Sequence, residues 1–296
     1  MVGAGGAVEL KERDEDDIVM PSTRVRTEGV IRRWGAVPAA VALLVFLVLP
    51  IGALAVSAAQ GGGAVFLALL GDPLVRHALV ASLLLAAAAG TVSVGIGLPL
   101  AACLAGMSPR RRRLLMAILG VPLAFSGLVV AYGFILAFGR AGFVTTLLAM
   151  AGADPARVGA WIYSVAGLVA AYAYYLVPRV ALMLYPTLAN LDRRPLDAAM
   201  TLGAPPWRAL LDVALRELWP SIFGAWCLVT SIAVGTYGTA LALAGTQITI
   251  LPLLMYMKLS DGQTDFAEVA AMSLLLMAVC MAILALGESV ARRTSA

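Results

Sequence analysis

The chain is short of charge. Only 13% of its 296 residues are Asp, Glu, Lys or Arg, against about 25% in an ordinary soluble domain. Hydrophobic residues make up 61%, and the mean hydropathy is +0.94. Polar side chains are too few to cover one water-soluble globule, which excludes a soluble enzyme, a nucleic-acid binder and a disordered scaffold. Histidine is nearly absent. The single His77 cannot supply an HExxH pair or a His-rich metal centre. Lysine occurs twice, as Lys11 and Lys258, followed by Glu12 and Leu259. Neither closes a GxxxxGK[ST] phosphate loop, so ATP is not expected to bind this chain in that manner. The three cysteines, Cys103, Cys227 and Cys280, each sit inside an apolar run. They read as packing residues rather than as a disulfide framework.

What is present is a series of long apolar runs. A helix needs about 20 such residues to cross a bilayer, and six runs qualify. They are Gly35–Ala59, Ala78–Gly106, Leu114–Phe138, Trp161–Tyr185, Ser221–Ala244 and Phe266–Gly287. The expected fold is an all-helical membrane protein of six spans. Lys and Arg are unevenly shared between the two sides. The N-terminal tail, the Arg110–Arg113 cluster, the Arg193–Arg216 region and the C-terminal tail together carry 16, while the opposite connections carry 4. Basic residues accumulate in the cytoplasm, so both termini are expected there. Residues 1–34 read as a cytoplasmic tail, 35–289 as the membrane domain and 290–296 as a second cytoplasmic tail. Ser57-Ala58-Ala59 resembles a cleavage site, but the first run is too long for a typical signal-peptide core of about 7–15 residues. An uncleaved first span is expected. No internal repeat marks a duplicated transporter half.

The segment between the fourth and fifth runs, about 186–220, carries the most information. Pro195 suits a first helical position. Asp197 follows in the first turn, where a carboxylate favours the positive helix end. Ala198, Ala199 and Met200 are good helix formers, and Gly203 can take the left-handed conformation that ends a helix. Pro205 and Pro206 permit a restart, and Trp207–Leu218 has helical apolar spacing. The expectation is a short helix, a sharp turn, a second helix and then the fifth span. Such a knob is a mechanical element. The plain alternative, a helix lying on the membrane surface, fits poorly with a modest apolar face and the acids Asp197, Asp212 and Glu217.

Asp197-Ala198-Ala199, three further residues and then Gly203, with Trp219-Pro220 beyond, resembles the EAA loop of binding-protein-dependent ABC importer permeases of type I. Six spans with this loop between the fourth and fifth match as well, over roughly Ala78 to Gly287. Asp197 stands where the family usually has Glu, and Trp219 where it usually has Leu. The resemblance implies a multi-pass permease of the bacterial inner membrane. Its partners would be two ABC ATPase subunits, a second permease (identical or homologous), an extracytoplasmic solute-binding protein and the surrounding lipid. ATP and Mg would belong to the ATPase subunits, with no cofactor or catalytic residue in this chain. Pro195, Asp197, Ala198, Ala199, Thr201, Gly203, Ala204, Pro206 and Leu210 would contact the ATPase. The solute would be of polyamine, iron(III), thiamine or phosphonate type.

A pathway through the membrane needs polar groups or broken helices at membrane depth. Tyr132, Ser126, Tyr172, Tyr174, Tyr175, Thr230 and Ser231 lie at this depth, and the stretch Gly235-Thr236-Tyr237-Gly238-Thr239 is the strongest candidate, because two glycines within a span loosen the helix and let backbone groups face a cavity. Tyrosines and threonines at this depth also serve simply as packing and interfacial residues. Arg179 lies near the end of its run, where an interfacial anchor is favoured over a solute contact. Arg110–Arg113 reads as a topology determinant attracted to anionic lipid, and no interleaved aromatics suggest nucleic acid. The alternative function is a secondary carrier driven by an ion gradient. It would call for an acid or histidine in mid-span, and the sequence has none. A membrane-embedded enzyme would need a nucleophile–base or metal constellation, which one edge histidine does not provide.

Overall fold

A computed structural model describes residues 24–192, 194–209, 212, 214–243, 248–260 and 265–294, and among them there is no β-strand. Six helical segments are long and apolar enough to cross a membrane: Ala40–Gln60, Pro73–Gly106, Gly127–Met150, Val165–Ala189, Leu215–Gly235 and Phe266–Arg292. The all-helical reading therefore stands.

The chain divides into two units, Met1–Ala53 and Leu54–Ala296. In the first, α1 (Arg24–Gln60) begins, and its side chains from Leu43 to Leu49 are exposed. A stretch of helix with apolar side chains exposed on every side is suited to hydrocarbon.

In the second unit, the central pair is α3 (Pro73–Gly106) against α8 (Val165–Ala189), joined by α11 (Leu215–Gly235) and α14 (Phe266–Thr294). Helices in lipid approach through small residues, because hydrocarbon supplies no hydrophobic drive between them. Gly97 of α3 shows this directly. A Cβ there would lie 2.7 Å from a Val180 methyl and 3.2 Å from the Val177 carbonyl of α8. Gly90 meets Thr230 and Trp226 of α11, and Gly287 of α14 meets Cys227 of α11. Gly95 faces open space, so only part of the small-residue stretch in α3 serves close approach. Leu104, Leu168, Tyr172, Leu176 and Val180 are fully buried around these contacts.

Three spans differ from the apolar runs. The run Leu114–Phe138 is cut in two, α4 (Pro109–Ala124) and α5 (Gly127–Phe138). Pro122 lacks an N–H donor, and Ser126 starts a new helix by accepting from the Val129 N–H at 3.5 Å. The run Ser221–Ala244 is likewise interrupted. Helix α11 stops at Gly235, Thr236 is extended, and α12 (Gly238–Leu243) follows. The fourth crossing helix starts at Val165 rather than Trp161. Ser164 caps it, its hydroxyl donating to the Trp161 carbonyl at 2.6 Å and accepting from the Gly167 N–H at 3.3 Å. Hydropathy counts apolar residues and cannot see such interruptions. The third crossing segment, Gly127–Met150, comprises α5 and α6 (Phe143–Met150), and the connections carry α2 (Gly62–Gly71), α7 (Pro155–Ala160) and α13 (Leu251–Ser260). The loop between the fourth and fifth long helices narrows to 190–214, since α8 runs on to Ala189 and α11 begins at Leu215. At the C-terminal end, helix continues through the expected tail as far as Thr294.

Candidate coupling knob and translocation cavity

Between α8 and α11 lie α9 (Arg194–Thr201) and α10 (Pro206–Ala209). The Asp192 carboxylate accepts from the Arg194 N–H at 3.0 Å, and Pro195 stands within the first turn of α9. Asp197 occupies the first turn and is exposed. The Thr201 hydroxyl lies 2.7 Å from the Asp197 carbonyl and 2.9 Å from that of Ala198. The helix then ends abruptly. Gly203 has φ +89, its N–H donates to the Met200 carbonyl at 3.0 Å, and the Ala204 N–H donates to the Ala199 carbonyl at 3.1 Å. This paired closure about a left-handed residue is the Schellman motif. A side chain at Gly203 would be strained by its backbone conformation alone.

The knob is outward-facing. Leu202 is 89% exposed, and Met200 and Trp207 are also exposed, while Ala198 is exposed and Ala199 half-buried. Beside it, the Arg208 guanidinium stands over the Trp207 ring at 5.1 Å. Within the expected second helix, Trp207–Leu218, the described residues are helical at α10, in a wider π-type turn at Asp212 and Ala214, and again from Leu215 in α11. Pro206 opens α10. Leu210 lies outside the described residues. A cleft of about 370 Å³ opens at the knob's base between Pro186, Asn190 and Glu217.

The two helix interruptions meet in space. Ser126, Gly127 and Leu128 at the start of α5 face Gly235, Thr236, Tyr237, Gly238 and Leu241 around a cavity of about 400 Å³. Two long-range hydrogen bonds hold it. The Tyr172 hydroxyl of α8 donates to the Thr236 carbonyl at 2.8 Å, and the Thr239 hydroxyl donates to the Gly127 carbonyl at 3.0 Å. The first satisfies a carbonyl freed where α11 stops, as a broken helix at membrane depth requires, and the second ties α12 to the first residue of α5. Tyr237 stacks on Tyr256 of α13, ring centres 5.8 Å apart.

Of the residues anticipated from sequence, Gly235, Thr236, Tyr237 and Gly238 line this cavity. Thr239 is buried just behind it, bonded to Gly127. Tyr132 is exposed on α5 and is not in the wall. Ser126 was among the polar groups expected at membrane depth, but the helix break there, with Gly127 and Leu128, and the Tyr256 partner went unrecognised. Pro122 followed by Ser126 inside an apolar run was the available signal for the first; the stacking of Tyr256 left none. A larger cavity of about 760 Å³ lies along α5 and α8. Its wall, with Phe125, Phe134, Phe138 and Trp161, suits hydrocarbon rather than a polar solute.

A bundle of membrane-crossing helices with an exposed capped knob on one segment and paired helix breaks at membrane depth defines a membrane permease. The chain belongs to the family of binding-protein-dependent transport system inner membrane components, whose model matches residues 93–296; it is an ABC transporter permease of type I. Similar proteins include the molybdenum transport system permease protein ModB of Mycobacterium tuberculosis, 30% identical over 258 residues, covering 86% of this chain and 92% of the relative. The probable sulfate transport system permease protein cysT of Nephroselmis olivacea is 28% identical over 242 residues, covering 81% and 83%. Among solved structures, a bacterial alginate ABC transporter in complex with an alginate pentasaccharide-bound periplasmic protein shares the fold. Its TM-score is 0.69 at 16% identity, with 92% of this chain and 97% of that one covered.

Proposed function

We propose that this chain, paired with a second permease, forms the path by which a small solute enters the cell, handed over by an extracytoplasmic binding protein and driven by ATP hydrolysed on separate subunits. The observation that carries the reading is the exposed, Schellman-closed α9 between two long helices. In this reading Pro195, Asp197, Ala198, Ala199, Thr201, Gly203, Ala204 and Pro206 engage an ATPase subunit, both termini are cytoplasmic, and nucleotide enters as a difference in binding to two global states. A rigid knob transmits motion because its turn is fixed at both ends by backbone hydrogen bonds.

The solute reading rests on the cavity wall. Ser126 and Tyr237 offer hydroxyls, the helix breaks offer peptide groups, and none of the wall residues is a carboxylate; the Thr236 hydroxyl is taken up by the Ile232 carbonyl. A polyamine, carrying several positive charges, would call for acids there. A small oxyanion, as the names of the molybdenum and sulfate relatives suggest, or a phosphonate, is matched by neutral donors. The test is ATP hydrolysis by the assembled transporter in vesicles, with its binding protein and one solute at a time. Stimulation by sulfate, molybdate or a phosphonate is expected. Stimulation by spermidine alone would overturn the solute class, and hydrolysis indifferent to any binding protein would overturn the importer reading.

A further inference from the structure

We propose that the cytoplasm-expected end of α4 is a binding site for an anionic phospholipid, with Arg110 and Arg111 holding the phosphate and the helix side below them holding an acyl chain. The inference concerns α4 alone and does not depend on the transported solute.

Helix α4 reads PRRRRLLMAILGVPLA. Its four arginines stand in the first turns, where the helix already carries positive partial charge, so the sequence places them at the unfavourable end. The helix contains no acid and buries no residue. No ion pair to these arginines occurs among the described residues. Arg112 is accounted for within the protein: its guanidinium lies 5.5 Å from the centre of the Tyr185 ring of α8. Arg110, Arg111 and Arg113 are exposed. Mutually repelling cations with no internal counter-charge call for an external anion.

The apolar residues say which anion. Leu114, Ile118, Val121 and Phe125 are 65%, 54%, 52% and 50% exposed. At 100° per residue they share one stripe, and Arg110 and Arg111 flank its upper end. The stripe rises about 16 Å, close to half of a ~30 Å hydrocarbon core. A phosphate above one leaflet's depth of exposed aliphatic surface matches a phospholipid and does not match inorganic phosphate or an acidic protein face. The position is also consequential, since the stripe ends at Phe125, next to the Ser126 break that forms one side of the cavity.

The test uses the full-length chain purified in a neutral detergent and titrated with phosphatidylglycerol, phosphatidylcholine, dihexanoyl phosphatidylglycerol or inorganic phosphate, with bound lipid counted by native mass spectrometry. Long-chain phosphatidylglycerol is expected to bind preferentially. Arg110→Gln and Arg111→Gln are each expected to weaken it about fivefold, the attraction of one basic residue to an anionic leaflet, and the pair about thirtyfold. Arg157→Gln, on an exposed side chain of α7 that pairs with Asp154 at 3.6 Å, controls for loss of an arginine elsewhere on the chain and is expected to leave binding unchanged. Circular dichroism confirms that each variant is folded. Leu114→Gln with Ile118→Gln keeps the arginines and is expected to erase the preference for long chains. Equal retention of phosphatidylcholine, or displacement by millimolar phosphate, would overturn the proposal. So would a double arginine variant that keeps its lipid but no longer holds the ATPase subunits.

Discussion

The knob and the cavity solve different physical problems. The knob is built almost wholly from neighbours in sequence: Asp192 accepts from the Arg194 N–H, Thr201 bonds one turn back, and Gly203 and Ala204 close on Met200 and Ala199. It is exposed and closed on itself. The cavity is built from strangers. Tyr172 and Thr236 are 64 residues apart, and Gly127 and Thr239 are 112 apart. Locally determined structure can protrude and still hold its shape, whereas an interrupted helix at membrane depth needs distant groups to satisfy the backbone it leaves unpaired, as Tyr172 does for the Thr236 carbonyl, and to tie the broken ends together, as Thr239 does at Gly127. Substitutions in the knob should therefore sever transport from a stable protein, and substitutions around the cavity should lower stability together with transport.

The largest effect is expected at Gly203. Gly203→Pro should abolish solute transport while the chain still inserts and melts near the wild-type temperature, because φ +89 is closed to proline and the N–H to Met200 is lost. Uptake by vesicles and the thermal midpoint, measured together, check both halves; wild-type uptake would remove the coupling role from α9. Next comes Gly97→Leu, which forces a side chain into Val180 and the Val177 carbonyl. Destabilisation of about 1–3 kcal/mol is expected from overpacking, read as reduced folded yield and melting temperature. If stability is unchanged, the α3–α8 contact is looser than described.

A smaller loss, about 1 kcal/mol, should follow Tyr172→Phe, which leaves the Thr236 carbonyl without its donor. Here the sharper readout is ATP hydrolysis without transport, since a loosened break should leak the coupling. Thr239→Val is the matched test on the opposite wall, and the two changes together should cost less than their sum if the ties act as one unit. The smallest effect on transport is expected from Tyr256→Leu, which removes the ring stacked on Tyr237. Tyr256→Phe should behave as wild type. If both variants transport normally, Tyr237 does not depend on its partner on α13.

Much of this was legible beforehand. Six apolar stretches gave six crossing segments, because the cost of an unpaired peptide group in hydrocarbon makes long apolar helices nearly obligatory. The turn at Gly203 was readable because its signals, a proline, small helix formers and a glycine, lie within ten residues. The break at Ser126 was hidden inside a run that hydropathy scores as continuous. Tyr132 was singled out by depth; it is exposed on α5 and is not among the residues lining this cavity, since depth says nothing about the direction a helix face points.

The amino-acid order alone therefore determined the medium this protein occupies, the number of its crossings and the shape of its knob, all of which follow from composition and short-range bonding. The tertiary structure alone decided that two interruptions more than 100 residues apart should meet around one cavity, and that Tyr172 should close the carbonyl between them. Which helices become neighbours depends on close fits such as Gly97 against Val180, and those depend on the whole bundle.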